Sequence, residues 1–329
     1  MNVRVLREPE IRGLFSFREA IGAVETAFAE LASGRAVMPG VINLDIEDHQ
    51  GEVHVKSAYL GGRGSYVVKI ASGFYRNPAR GLPVGNGLML LFEAETGRLL
   101  CALFDNGYIT EMRTGAAGAV SAKYLARERA STVGVVGSGS QARYQLRALR
   151  EVRRIEEARV WSPHPEHVKE YAAEMEDLIP RLRVRPVPSC REAVVGCDIV
   201  ITATPSRSPL VAAAWVSPGT HIIAVGSDGP EKQELEVGVL GLADKIFCDS
   251  ISQCEKLGEV HHALAAGAVT RAQLAGEIGE IILGRKAGRE ADAEITVADL
   301  TGLGVQDAAA ASLVYDESLK RGLGETIEI

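Results

Sequence analysis

Apolar residues near the start of the chain recur at helical spacing. Ala20, Ile21, Val24, Ala27, Phe28 and Leu31 mark one buried face of a helix. Ser16 and Glu19 stand at the spacing of a capping box before it, and Gly34 ends it. From Val41 to Asp105 the rhythm changes to short apolar runs broken by turns: Val53–Tyr59, Tyr66–Ala71, Gly87–Phe92 and Leu99–Phe104. The last two flank Glu95-Thr96-Gly97, a hairpin turn, so this stretch predicts an antiparallel sheet. After Thr110 the pattern changes again. A helix over Thr114–Ala126 leads to strand Thr132–Val136, helix Gln141–Arg150, strand Ala158–Trp161 and helix Glu166–Glu176. Strands Asp198–Thr202, His221–Val225 and Lys245–Cys248 follow, and an alanine-rich helix, Ala308–Lys320, closes the chain. Alternating strands and helices predict a doubly wound parallel sheet. The fold class is therefore α/β: a parallel-sheet domain over 116–305 and an α+β domain with an antiparallel sheet over 1–115. The last helix, within 306–329, is expected to return to that first domain.

Charge and composition narrow the classes of function. The formal net charge is −7 with no basic block, which argues against a nucleic-acid partner. No apolar run approaches the roughly 20 residues that span a bilayer. Met1 to Glu10 is charged throughout and lacks the apolar core of a signal peptide, so the cytoplasm is expected. The five cysteines form no CxxC pair and suggest neither disulfides nor a metal site; Cys101 reads as core.

The first chemical signal is a glycine loop. Strand Thr132–Val136 runs into Gly137-Ser138-Gly139-Ser140-Gln141-Ala142, the G-x-G-x-x-A form of the dinucleotide fingerprint. Gly137 permits the tight turn, Gly139 lets backbone approach a pyrophosphate, and Ala142 lets helix and strand pack closely. The helix that follows offers free N–H groups and a partial positive charge. The acid that usually ends the second strand and holds the adenosine ribose is missing, since that position reads Trp161-Ser162-Pro163-His164. No arginine stands there for a 2′-phosphate, although Arg143 and Lys169 lie within sequence reach. NAD is favoured slightly over NADP.

Three charged residues mark a substrate end. Lys69 lies within the apolar strand Tyr66–Ala71, either protecting a sheet edge or buried as an ammonium that must face an anion. Arg113 stands where the Thr114 helix begins, either as an anion cradle with free helix N–H groups or as a surface partner of Glu111. Asp228 follows the strand that ends at Val225, where a carboxylate can exchange protons with a ligand or cap a helix. The pair His261-His262 with Glu259 lacks further metal-ligand spacing, and no metal is expected.

Taken together, Val-Val-Lys69-Ile, Gly81-Leu82-Pro83, Gly87–Leu91, Thr96-Gly97, Asp105, Ile109-Thr110, Arg113-Thr114, the glycine loop, Gly226-Ser227-Asp228 and Gly302–Asp307 resemble the ornithine cyclodeaminase/mu-crystallin family over nearly the whole chain. The resemblance implies a homodimer paired through the sheets of the first domains, with a Rossmann domain in the second half. It implies that Lys69 and Arg113 bind a substrate carboxylate and that Asp228 handles protons, with NAD expected as the cofactor and NADP left open. The cofactor-contacting set is then Thr114, Gly137, Ser138, Gly139, Ser140, Gln141, Ser162, His164, Thr204, Val225, Gly226, Ser227, Thr301 and Gly302. Departures point within the family. Val41 stands where members often carry arginine, His54 where ornithine cyclodeaminases have glutamate, and Lys56-Ser57-Ala58 replaces Met-Pro-Ala. Asp299-Leu300-Thr301-Gly302 likewise lacks the usual serine of this segment. These features look more like the branch of ectoine-utilisation proteins and iminosuccinate reductases, and His54, Lys56 and Arg76 would suit a substrate with a second anionic group. The leading expectation is NAD(P)H-dependent reduction of a small α-imino acid, reversible as an amino-acid dehydrogenase. The alternatives are a cyclodeaminase-type lyase with bound NAD and a mu-crystallin-like binder without catalysis.

Overall fold

The computed structural model describes residues 2–328 and divides into two compact units. The first comprises Met1–Arg113 with Leu303–Ile329, the second Thr114–Gly302. Among the described residues no helix is long and apolar enough to cross a membrane.

The first unit is built on an eight-stranded sheet. Its path runs Glu325–Glu328, Asn2–Arg7, Leu99–Phe104, Gly85–Glu93, Ser65–Phe74, Gly51–Leu60 and Ala36–Val37, with Ile42–Ile46 also pairing Gly51–Leu60. All of the predicted runs are strands, and Gly97 turns the hairpin at φ 71°. The sheet is not purely antiparallel, because Asn2–Arg7 pairs parallel with Leu99–Phe104. No element is predicted over that first strand, where buried Val3, Val5 and Leu6 form a short stretch interrupted by Arg4 and ended by Arg7. Helix Phe17–Ala32 begins at the expected cap, with Ser16 Oγ accepting the Glu19 N–H and Glu19 Oε2 accepting the Ser16 N–H at 2.7 Å. It packs with helix Gly304–Arg321, which also lies against Gly51–Leu60 and Ser65–Phe74. The closing helix therefore does return to the first unit. A row across the strands, Ile42, Val55, Ile70 and Leu88, follows the register. In it Ile42 and Ile70 are 65% and 38% exposed, and nearby Leu44 and Phe104 are also exposed.

The second unit carries a parallel sheet in the order Arg183–Pro186, Glu157–Trp161, Thr132–Val136, Ile199–Thr202, His221–Ala224, Thr296–Asp299, Lys245–Cys248 and Leu274–Glu277. The central strands are buried along their whole length and apolar in their middles, as strands covered on both faces are: Ile199, Val200, Ile201, Ile222, Ile223, Val297 and Ala298 are all buried. From Thr132–Val136 the chain first builds outward to one edge and then returns to the other side at Ile199. That reversal is the switch point at which open α/β sheets leave a crevice beyond the strands' carboxyl ends.

One helix departs from expectation with consequences for the site. It runs Tyr108–Leu125, starting well before Thr114. The buried Asp105 carboxylate accepts the Ile109 N–H at 2.8 Å and anchors its first turn. Arg113 therefore sits inside the helix, and the cradle of free helix N–H groups expected beside it does not exist.

Candidate active site

In the first unit, the antiparallel register puts Lys56 directly opposite Lys69 on one sheet face. Strand Ser65–Phe74 is interior, flanked on both sides, and Lys69 is 2% exposed, so the edge-strand reading fails. A buried ammonium needs an anion, and the closing helix supplies it. Lys69 Nζ lies 3.0 Å from Asp307 Oδ2 and 3.2 Å from Oδ1. Arg113, equally buried, donates from Nε to Asp307 Oδ1 at 2.8 Å and from Nη1 to Gln306 Oε1 at 2.8 Å. Its partner is thus Asp307 and not Glu111. The helix can come this close because Gly304 has no side chain: a Cβ there would stand 2.7 Å from the Ser57 carbonyl oxygen.

Electrostatics in this cluster follow from burial. Desolvation, with Arg113 and Lys56 nearby, outweighs Asp307 and pulls the Lys69 pKa down to about 7. Burial would raise Asp307, but Arg113 and Lys69 together hold it below its ordinary value. Burial pushes Asp105 up to about 6, against the hydrogen bond from Ile109 and the charge of Lys69. Arg113, Lys69 and Lys56 thus all favour the charged form of the Asp307 carboxylate, and this surrounding suits a further anionic ligand. His54 shares the sheet face of Lys56, two residues on, but its Nδ1 is 2.7 Å from Asn43 Oδ1. Arg76 is held at the Asp48 carbonyl.

In the second unit the glycine loop has the geometry its chemistry needs. Gly137 takes φ 113°, and a Cβ there would meet the Ala203 carbonyl oxygen at 2.6 Å. Gly139 is extended, and a Cβ on it would meet nothing within 4 Å, so its backbone faces open space. Helix Ser140–Leu149 starts there, with Ala142 fully buried. Ser140 and Gln141 in its first turn are less covered than buried Ser138. This cradle fits a pyrophosphate. Arg143 is committed to the Ser138 carbonyl and, at 2.7 Å, to Glu174. Ser162, buried at the end of the second strand, accepts the His164 N–H at 3.1 Å, while His164 itself is exposed. Thr114 offers its carbonyl to Gln145 Nε2 at 2.9 Å.

The loops beyond the neighbouring strands are held by buried acids. Glu234 accepts from Thr204 N–H at 2.6 Å, Thr204 Oγ1 at 2.7 Å and Gly226 N–H at 2.9 Å. Asp249 accepts from Thr301 N–H and Gly302 N–H, each at 2.8 Å. Val225 donates to the Thr202 carbonyl and Ser227 Oγ to that of Lys232. Burial pushes Glu234 and Asp299 up to about 7 each. Asp228 is followed by a turn and not a helix, so the capping role is absent; it pairs instead with Lys232 at 2.8 Å and remains 43% exposed. His262 Nε2 lies 2.8 Å from the Lys232 carbonyl, and Glu259 holds the backbone N–H groups of Glu234 and Leu235.

Sequence reasoning missed Asp307, Gln306, Glu234 and Asp249 as parts of these arrangements. Asp307 had a usable signal, an acid in the first turn of a helix, directly before the apolar run Ala308–Ala311. Glu234 had none, because its partners lie 30 and 8 positions away.

Fold and site define a class: a Rossmann-type unit with an open phosphate cradle, in one chain with a unit built around a buried, carboxylate-bridged cation pair. The chain belongs to the ornithine cyclodeaminase/mu-crystallin family, whose model matches residues 2–322. It is similar to an archaeal alanine dehydrogenase dimer with bound NAD, at 40% identity and TM-score 0.93, covering 100% of both chains. It is also similar to the Δ1-pyrroline-2-carboxylate reductase of Thermococcus litoralis solved with NADH and L-proline. There the identity is 35% and the TM-score 0.95, covering 99% of this chain and 100% of that one. The iminosuccinate reductase of Paracoccus denitrificans is 35% identical over 330 residues, 99% of each chain.

Proposed function

We propose that this protein reduces a small α-imino acid with NADH, and reversibly oxidises the amino acid. The observation that carries the reading is the buried pair Lys69 and Arg113, bridged by a single carboxylate in an otherwise cationic cluster. Such a pair suits an α-carboxylate, the group common to the amino and imino acids named for the relatives. Bound NADH supplies the hydride. Lys69 and Arg113 hold the substrate carboxylate and fix its orientation, which by itself carries much of a rate enhancement. Lys56 and His54 accommodate a further polar or anionic group on the substrate. Asp228 exchanges the proton of the substrate nitrogen, with Lys232 at 2.8 Å positioning its carboxyl group. Thr114, Thr204, Thr301, Gly302 and the glycine loop hold the dinucleotide, together with Ser162, His164 and Val225–Ser227. The working assembly in this proposal is a homodimer, supported by the dimeric relative and by exposed Ile42, Leu44, Ile70 and Phe104 on one sheet.

The test is a panel of 2-keto acids with ammonia or methylamine, followed at the NADH absorbance. Net NADH consumption with at least one member supports the reading. Ammonia release from a diamino acid without net NADH change would make the protein a cyclodeaminase, and ligand binding without turnover would make it a binder.

A further inference from the structure

Residue Glu234 belongs to a short strand, Gln233–Leu235, which pairs only with Arg207–Val211 and stands outside the main parallel sheet. Its side chain is nonetheless fully buried and reaches two loops that follow adjacent sheet strands, Ile199–Thr202 and His221–Ala224. One oxygen accepts both the backbone N–H and the hydroxyl of Thr204; the other accepts the Gly226 N–H. Clearance here is small, since a Cβ on Gly226 would stand 2.3 Å from the Thr204 carbonyl and 2.5 Å from Glu234 Oε2. The residue before Thr204 also backs the glycine loop, where a Cβ on Gly137 would meet the Ala203 carbonyl at 2.6 Å. Glu234 is fixed in turn from behind: Glu259 Oε1 and Oε2 accept the N–H groups of Glu234 and Leu235 at 2.8 and 3.1 Å. Asp299 Oδ2 accepts the Val260 N–H at 2.8 Å and so tethers the helix that carries Glu259.

Burying a carboxyl is costly unless its oxygens are fully used. A fold needing only a filled core would place an apolar side chain here. A carboxyl that gathers three donors from two loops is instead suited to hold those loops in one arrangement at the crevice where ligands of such sheets sit. We propose that Glu234 is a positioning residue for the dinucleotide, holding the Thr204 and Gly226 loops in register with the glycine loop. This rests on the reading of the second unit as the cofactor-binding one.

Glutamine is the discriminating substitution. Its shape is that of glutamate, but its NH2 must face either the Gly226 N–H or the two Thr204 donors, so one loop loses its acceptor. In the full-length protein, Glu234→Gln is expected to weaken NADH binding about ten- to a hundredfold by calorimetry, well below both melting temperatures. The Thr204 and Gly226 amides should exchange hydrogen faster, with no change in the strands of the first unit. Should Glu234→Gln not fold, Glu234→Asp keeps the acceptors but is one methylene short, and is expected to show the same direction in both measurements. A folded variant with NADH affinity within twofold of the parent overturns the proposal, whether or not its melting temperature has dropped. A parent protein that binds no NADH at all overturns the cofactor reading itself, a distinct outcome.

Discussion

Replacing Lys69 by methionine separates the chemistry of the cation from its packing. Methionine approximates the length and volume of lysine, so the interior strand keeps a filled position. Removing the ammonium leaves Arg113 donating to Asp307 Oδ1 at 2.8 Å but takes away the 3.0 Å partner of buried Oδ2. Lys69→Met should therefore fold but melt below the parent. The pH dependence of stability gives a signed check. Burial lowers the Lys69 pKa in the folded protein to about 7 from its ordinary value of 10.5. Its burial penalty is thus full below pH 7 and relieved as pH rises from about 7 towards 10.5. The parent should gain stability relative to Lys69→Met across that window. For activity, the lost contact is one charged hydrogen bond to a carboxylate, about 1.5–3 kcal/mol. At 1.36 kcal/mol per factor of ten, that is a ten- to roughly 150-fold loss in kcat/KM. NADH affinity should be unchanged. The parent's kcat/KM should also fall as pH rises through about 7, where Lys69 loses its proton, and Lys69→Met should lack that limb. Initial rates with the best imine of the panel, over pH 6–9, check all of this. A folded Lys69→Met with near-normal kcat/KM would refute the assignment of Lys69 to the substrate.

Three further substitutions probe the remaining parts. Gly139→Val places its side chain in open space beside an extended backbone, so the fold should be kept while calorimetry finds no NADH binding; unchanged affinity would remove the phosphate cradle. Asp307→Asn leaves two buried cations without their carboxylate, a cost of about 3–5 kcal/mol. Melting should drop by roughly 6–20 °C and recover in part with millimolar carboxylate ligand; a melting temperature equal to the parent's would contradict the bridging role. Asp228→Asn removes the charge facing Lys232, whose side chain is buried although that of Asp228 is 43% exposed, a loss of about 1–3 kcal/mol, yet turnover should slow at least about a hundredfold with NADH affinity retained. Full activity in that variant would hand the proton to solvent or another group.

Periodicity and local chemistry determined much of this protein from sequence alone. The Ser16 cap, the hairpin at Gly97, the apolar parallel strands and the Gly137–Ala142 loop are set by residues within a few positions of one another. Local signals of this kind survive in a linear reading. The tertiary structure decided what depends on distant partners. Asp307 meets Lys69 and Arg113 only because a helix more than 190 positions along the chain packs on the first sheet. Strand Asn2–Arg7 exists because its parallel neighbour, Leu99–Phe104, completes its hydrogen bonds despite its charges. Sequence reasoning expects Arg113 to face an anion beside free helix N–H groups; in the structure it lies inside a helix and pairs with the Asp307 carboxylate. Its helix starts at Tyr108 because the Asp105 carboxylate holds the Ile109 N–H, a cap that hydrophobic spacing does not register. Glu234 is the limiting case. Nothing in its neighbourhood in sequence distinguishes it from a surface acid, and only the fold, by burying it among three donors from two other loops, gives it a role.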